Sequence, residues 1–206
     1  MVPATLTLLG MGPVRLSHRS LLNLLSVLCL GLSLFLFGQS TWIFAKAQLA
    51  QVLLERAFSQ SVASGIPIKA WSWADTWPVA RLEIQRIQAS TIVLHGSSGE
   101  ALAFGPALLN ETSRIGERGT VVISAHRDTH FAFLKDVVVG DLISITRDDG
   151  LVFTYRVTGT SIVDWNKSGI DRHASGFNLV LSTCYPFGAI TSGPLRYLVH
   201  AELVNL

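Results

Sequence analysis

Three side chains in this 206-residue chain, a thiol, an imidazole and a guanidinium, could together carry out nucleophilic catalysis. Cys184 ends the apolar run 179–183 and precedes a Pro/Gly loop, which would leave its thiol open to a groove. Only about 3% of an unperturbed thiol is thiolate at neutral pH, so a basic or cationic neighbour is needed. His126, after the apolar run 120–125, could carry the proton. Arg196, which opens the last alternating run, could stabilise an oxyanion or hold a carbonyl.

Each of these residues also has an ordinary structural interpretation. A free cysteine is often buried, a histidine after a strand is often a solvated loop residue, and a strand arginine often faces water. His126 and His130 have the spacing of a helical zinc pair, but the glutamate of HExxH is absent. The sequence predicts no metal site and no cofactor, and its acidic residues are too scattered to predict calcium binding.

Short β-strands must position these residues. Apolar runs separated by turn residues predict seven strands, two of them joined by a strong hairpin signal, DDG at 148–150. A capped short helix is predicted at 101–104 and a single helical turn between His130 and Val137. The predicted strands are 79–84, 90–94, 120–125, 142–147, 151–158, 178–183 and 195–204.

Composition sets the class of protein. Many short strands and almost no long helix predict a mainly β domain, closed as a barrel or packed as a sandwich. A net charge of +2 is too small to indicate a nucleic-acid partner. The abundant aliphatic residues and low charged fraction exclude global disorder.

The N-terminal quarter predicts a membrane anchor. Residues 20–44 contain no Asp, Glu, Lys or Arg, and about 20 apolar residues in a helix cross a bilayer. Arg15 and Arg19 precede the run, so the positive-inside rule places residues 1–19 in the cytoplasm and the remainder outside. The alternative is a cleaved signal peptide, because AKA at 45–47 fits the A-x-A cleavage pattern, although the apolar run is longer than a signal peptide needs.

The two cysteines are predicted to lie in different environments. Cys29 falls inside the predicted span, so Cys184 has no disulfide partner in the same exported domain. An unpaired thiol in an oxidising compartment indicates reactivity.

The chain between the anchor and the strands is predicted to be a connector. Residues 45–78 are expected to form a helical stalk and then a Trp-rich linker, with the globular domain at 79–206. Three tryptophans between 71 and 77 predict a hydrophobic arm packed on the domain, or alternatively an aromatic segment at the membrane surface.

The order of these elements resembles the sortase family. His126 follows one strand, Cys184 ends a later one, and Arg196 opens the last. Segment 181–184 (LSTC) matches the family signature TLxTC, except that Val180 replaces the first threonine.

Further segments carry the same resemblance, which spans about residue 70 to the end. Segment 125–131 (AHRDTHF) is similar to the region around the histidine of the family. Segments 73–82 and 98–106 resemble its proteobacterial subgroup, the class GN or marine proteobacterial type.

The resemblance implies an eight-stranded sortase-type β-barrel with short helices, behind an N-terminal transmembrane helix. It implies a cysteine transpeptidase in which Cys184 attacks an LPxTG-like C-terminal sorting signal and forms a thioacyl enzyme. His126 would protonate the departing amine and deprotonate the incoming one, and Arg196 would steady the oxyanion or the peptide backbone. Substrate contacts are expected from Ala125, Leu181, Thr183 and Tyr185.

The same resemblance implies the partners and the location. The expected partners are a sorting-signal peptide of an exported protein, an amine acceptor, and the inner (cytoplasmic) membrane, crossed once. The catalytic domain would face the periplasm or the exterior.

Other classes of protein remain open from the sequence. An L,D-transpeptidase is also exported and depends on Cys and His, but its motif places His-Gly just before the cysteine. A papain-like hydrolase places its cysteine before its histidine, the reverse of the order found here. A non-catalytic β-domain, anchored as an envelope scaffold, would keep the fold and tolerate loss of Cys184.

Overall fold

The computed structural model describes residues 18–205. Most of the predicted cytoplasmic segment, including Arg15, therefore lies outside the described residues. The chain divides into two units, Met1–Lys46 and Ala47–Leu206.

The first unit consists, in its described part, of the beginning of helix α1 (His18–Ser64), which continues into the second unit. Its apolar side chains are exposed, and the helix is long and apolar enough to cross a membrane. This confirms a candidate N-terminal transmembrane helix where the charge-free run predicted one.

The second unit contains eight strands, all within the described residues, that close into a barrel. Around the barrel the order is β1-β2-β3-β4-β7-β8-β6-β5. The expected mainly β architecture is therefore confirmed. The strands are β1 (Pro78–Ile84), β2 (Ala89–His95), β3 (Ala107–Leu108), β4 (Gly119–Ser124), β5 (Leu142–Arg147), β6 (Val152–Asp164), β7 (Phe177–Cys184) and β8 (Leu195–Asn205).

Six of the seven predicted strands match the structure to within one residue at each end. The prediction at 151–158 is too short. Strand β6 continues to Asp164, because its residues 159–164 pair with residues 195–200 of β8. The eighth strand, β3, is two residues long and was not predicted, because so short a segment carries no periodicity.

Two short helices also match their predictions. Helix α2 (Gly99–Phe104) begins at the predicted cap, where the Ser98 hydroxyl accepts a hydrogen bond of 3.0 Å from the Ala101 amide. The predicted helical turn before Val137 is a 3-10 helix at Ala132–Asp136.

Inward-facing side chains fill the barrel, with fully buried ones from seven strands and the partly buried Leu108 from β3. The largest fully buried one is Tyr155, whose hydroxyl oxygen accepts a hydrogen bond of 3.0 Å from the Gly116 amide. Burial raises the pKa of Tyr155, so the phenol stays neutral in the core.

The end of α1 belongs to the barrel unit. Leu54 and Phe58 are buried in a second apolar cluster with Ile92 and Leu94 of β2. The Gln51 amide donates a hydrogen bond of 2.8 Å to the carbonyl of Phe104. Residues 47–64, predicted as stalk and linker, therefore cover one side of the barrel.

The helix also continues past Ser59, through a stretch of small polar residues. The hydroxyls of Ser59, Ser61 and Ser64 each donate to the carbonyl four residues earlier, so they are satisfied inside the helix. Ser61 is buried and its oxygen also accepts a hydrogen bond of 2.9 Å from the Ile68 amide.

We predict that a fragment 47–206 is more stable than a fragment 79–206. The shorter fragment exposes the apolar surface that Leu54 and Phe58 cover, worth roughly 3–6 kcal/mol at about 1.5–3 kcal/mol for each side chain. Urea unfolding measures the difference, and Leu54→Ala in the longer fragment should lose about 2–5 kcal/mol. Equal unfolding free energies for the two fragments would show that the helix is not part of the domain.

Candidate active site

Three adjacent strands bring the candidate residues to one end of the barrel. Strand β4 pairs parallel with β7, and β7 pairs antiparallel with β8. The carboxyl ends of β4 and β7 and the amino end of β8 therefore meet. His126 lies two residues past β4, Cys184 ends β7, and Arg196 is the second residue of β8.

The register places the thiol and the guanidinium side by side. Cys184 lies directly opposite Arg196, and residues opposite each other in a ladder point to the same face. The alternate residues Leu181, Thr183 and Val199 point inward and are buried. Cys184 and Arg196 therefore face outward, away from the core.

A cleft of about 190 Å³ lies over this outward face. His126, Cys184 and Arg196 all line it, although they are distant in sequence. The cleft is lined by Leu102, Ser124, Ala125, His126, Ser182, Thr183, Cys184 and Arg196.

The backbone around His126 is tied to β7 on one side and to its own loop on the other. The Ala125 amide donates to the Ser182 carbonyl at 3.2 Å. The buried Thr183 hydroxyl donates to the Ala125 carbonyl at 2.7 Å. The Phe131 amide donates to the His126 carbonyl at 3.0 Å, and the imidazole itself is exposed. The histidine is thus carried on a fixed backbone with a ring open to the cleft.

Cys184 is a free, half-buried thiol. The following residue continues the ladder, because the Tyr185 amide donates to the Leu195 carbonyl at 3.0 Å. The chain therefore leaves the thiol in a fixed position at the strand end.

Arg196 is held by its own loop through one nitrogen. Nη1 donates to the carbonyls of Gly193 and Leu195, at 3.0 and 2.9 Å. Within residues 18–205, Nε and Nη2 have no hydrogen-bond partner, so they remain for a ligand in the cleft.

His130 is a half-buried titratable residue in the loop that follows His126. Burial lowers its pKa, although a hydrogen bond to the Ala103 carbonyl favours the charged form, and the neighbouring His126 lowers the pKa further. No group of three or more His, Cys, Asp or Glu suited to a metal occurs among residues 18–205.

The four residues expected to contact substrate lie in different places relative to the cleft. Ala125 and Thr183 are among the residues that line the cleft, and a contact of either with substrate stays a prediction. Leu181 is a correction, because it is fully buried in the barrel core on the face opposite Cys184. Tyr185 lies outside the cleft lining and stacks on Tyr197, with ring centroids 6.3 Å apart.

Sequence reasoning missed two lining residues on the strand side and one on the helix. Ser124 lies two residues before His126, and Ser182 two residues before Cys184, so strand alternation could have found both. Leu102 comes from α2, and no periodic signal in the sequence connects that helix with the strand ends.

Comparison with known proteins identifies the domain type. A family model described as a sortase domain matches residues 82–204. Sortase D of Bacillus subtilis (strain 168) is 32% identical over 126 residues, which is 60% of this chain and 63% of that protein. The chain therefore matches less than two thirds of the length of this curated relative.

Solved structures show the same fold. Sortase A from Corynebacterium diphtheriae has a TM-score of 0.58 and 27% identity, over 65% of this chain and 64% of that chain. A sortase D5 transpeptidase from Clostridium perfringens has a TM-score of 0.61 and 20% identity, over 77% and 99% of the respective chains. Because the identity to the Clostridium perfringens protein is only 20%, this second similarity shows a shared fold and nothing more.

Proposed function

The chain belongs to the sortase family, and on that premise we propose that it is a membrane-anchored cysteine transpeptidase. Its substrate would be an LPxTG-like C-terminal sorting signal, and its acceptor an amine. The observation that carries this proposal is the register pair of Cys184 and Arg196 in a cleft that His126 also lines.

The reaction would proceed in two balanced steps. The Cys184 thiolate attacks the carbonyl carbon of the scissile peptide, the C–N bond breaks, and His126 protonates the departing amine. The acyl group is then held as a thioester. An incoming amine attacks that thioester, His126 takes its proton, and the C–S bond breaks to restore the thiolate.

Arg196 would stabilise the tetrahedral oxyanion in both steps. Its Nη1 is occupied by loop carbonyls, which fixes the plane of the guanidinium, and its other nitrogens, which have no partner among residues 18–205, would bind the developing charge. A guanidinium fixed before the reaction begins has little reorganisation to undergo in the transition state.

The anchor would place this cleft at the surface of the inner (cytoplasmic) membrane. Arg15 and Arg19 precede the apolar run in the sequence, so the positive-inside rule would assign the N-terminal side to the cytoplasm, and the barrel would face the periplasm or the exterior. Sorting signals of exported proteins would reach the cleft there, and the product would be a protein anchored at the cell surface. The proteobacterial subgroup stays a prediction.

A transfer assay tests the proposed activity. The full chain in detergent is incubated with a panel of LPxTG-like peptides and triglycine, and products are followed by mass. We expect a peptide joined to triglycine, with release of the C-terminal fragment. A folded protein with a reactive thiol that gives neither product across the panel would support the scaffold interpretation instead.

We predict that Arg196→Ala lowers kcat by about 10²–10³-fold, the usual effect of removing an oxyanion donor. Arg196→Lys should recover part of this loss, because an ammonium supplies charge without the fixed fork of donors. The assay is the same peptide transfer. Arg156→Ala is the matched control, an exposed strand arginine on β6 outside the cleft. Equal kcat for both alanine variants would exclude the oxyanion role.

A further inference from the structure

Arg127 follows His126 directly and differs from it in burial. His126 is exposed at the cleft, whereas Arg127 is only 6% exposed. An arginine is almost never this buried unless its charge is paired or hydrogen-bonded. The hydrogen-bond partners of Arg127 therefore indicate which part of the structure its side chain stabilises.

The guanidinium holds the loop that links β7 to β8. Nη2 donates to the carbonyl of Ala189 and, at 2.8 Å, to the carbonyl of Thr191. These two carbonyls flank Ile190, whose side chain is fully exposed. Nε lies 3.5 Å from the Asp128 carboxylate, which is itself mostly exposed. The strongest contacts of Arg127 are thus to main-chain atoms of one loop.

That loop connects two of the candidate catalytic residues. It leaves β7 after Cys184 and enters β8 just before Arg196. One side chain therefore joins the segment that carries the imidazole to the segment between the thiol and the guanidinium.

We propose that Arg127 is a positioning residue that clamps the β7–β8 loop to the His126 segment and so sets the geometry between His126 and Cys184. The catalytic consequence rests on the proposed function, whereas the clamp itself does not. Proton transfer depends steeply on the separation of donor and acceptor, so loosening the clamp acts on the chemical step more than on peptide binding.

The clamp is not arranged for maximal stability. Nη1 of Arg127 is the one buried side-chain nitrogen or oxygen without a partner among residues 18–205. Methionine at this position removes the two loop contacts, but also removes the unpartnered donor and the buried charge, which are themselves destabilising. Loss of activity in Arg127→Met can therefore be separated from loss of folding.

Arg147 offers a matched control. It is also buried, and it also donates to a main-chain carbonyl, that of Ile115 at 2.7 Å, and pairs with Asp149. It lies on β5, outside the cleft lining. Arg147→Met therefore removes a buried arginine of similar type without touching the β7–β8 loop.

The experiment compares full-chain wild type, Arg127→Met, Arg127→Lys and Arg147→Met in detergent. For Arg127→Met we expect amide hydrogen exchange in segment 185–194 to rise at least tenfold, kcat to fall at least tenfold, and KM to stay within threefold. Arg127→Lys should recover part of both effects, because an ammonium can reach one of the two carbonyls. Arg147→Met should lower thermal stability and leave loop exchange and kcat of the folded protein unchanged.

The outcomes separate the clamp from the proposed function. Unchanged exchange in segment 185–194 of Arg127→Met overturns the clamp, whatever the activity. Faster exchange with unchanged kcat overturns its positioning role. If wild type transfers no peptide, the proposed function fails, and the exchange data still decide whether Arg127 holds the loop.

Discussion

Cys184→Ala is expected to reduce peptide transfer by about 10⁴-fold or more, the range found when an enzyme loses its covalent nucleophile. His126 is assigned the proton transfers, and the other nucleophilic side chains that line the cleft are the hydroxyls of Ser124, Ser182 and Thr183, none of which forms an acyl intermediate as readily. A hydroxyl is a much weaker nucleophile than a thiol at neutral pH. Initial rates of triglycine transfer measure the loss.

The second cysteine provides the control for this variant. Cys29 is exposed on α1 in the first unit, so Cys29→Ala should keep full transfer activity. Thermal unfolding of Cys184→Ala should match wild type closely, because the half-buried thiol makes no disulfide. Transfer by Cys184→Ala at even a tenth of the wild-type rate would place the nucleophile elsewhere.

His126→Gln is expected to lower kcat by about 10²–10⁴-fold, the usual contribution of a general acid and base. Glutamine keeps the size and polarity of the side chain but cannot exchange a proton near neutral pH. The exposed ring makes this loss open to chemical rescue, so added imidazole should restore part of the transfer rate in the variant.

His95→Gln is the matched control for the histidine variant. His95 ends β2 and stacks on Trp77, with ring centroids 4.0 Å apart, and it does not line the cleft. The His95→Gln enzyme should transfer peptide at the wild-type rate, and added imidazole should not raise that rate. A His126→Gln enzyme whose kcat falls less than threefold would assign the proton transfers to another group.

The strands around the site could be predicted because their signals are local. Strand β5 matches its predicted bounds at both ends, since alternation and the DDG turn mark it clearly. The three candidate residues were found because each lies at the end of such a strand. That they share one cleft was not derivable from alternation, because it depends on β4 and β7 being parallel neighbours.

What the sequence did not reveal depends on tertiary contacts. Strand β3 exists only because β2 and β4 pair with its two residues. Helix α1 continues through Ser59 because the barrel buries Phe58 and Ser61 on both sides of it. Leu181 was expected at the substrate because it lies in the signature segment. It is three residues from Cys184 on the same strand, so its side chain is on the opposite face, in the core. Arg127 gave no signal, because its partners are carbonyls more than sixty residues away.

The central claim is that Cys184 carries the acyl group, and the mass of the intact chain tests it most directly. The full chain is mixed with an LPxTG-like peptide in the absence of an amine, quenched in acid and weighed, and the modified residue is mapped. We predict an increase equal to the acyl fragment of the peptide, located on Cys184 and lost when triglycine is added. An adduct on another residue, or the same adduct in Cys184→Ala, would contradict the account.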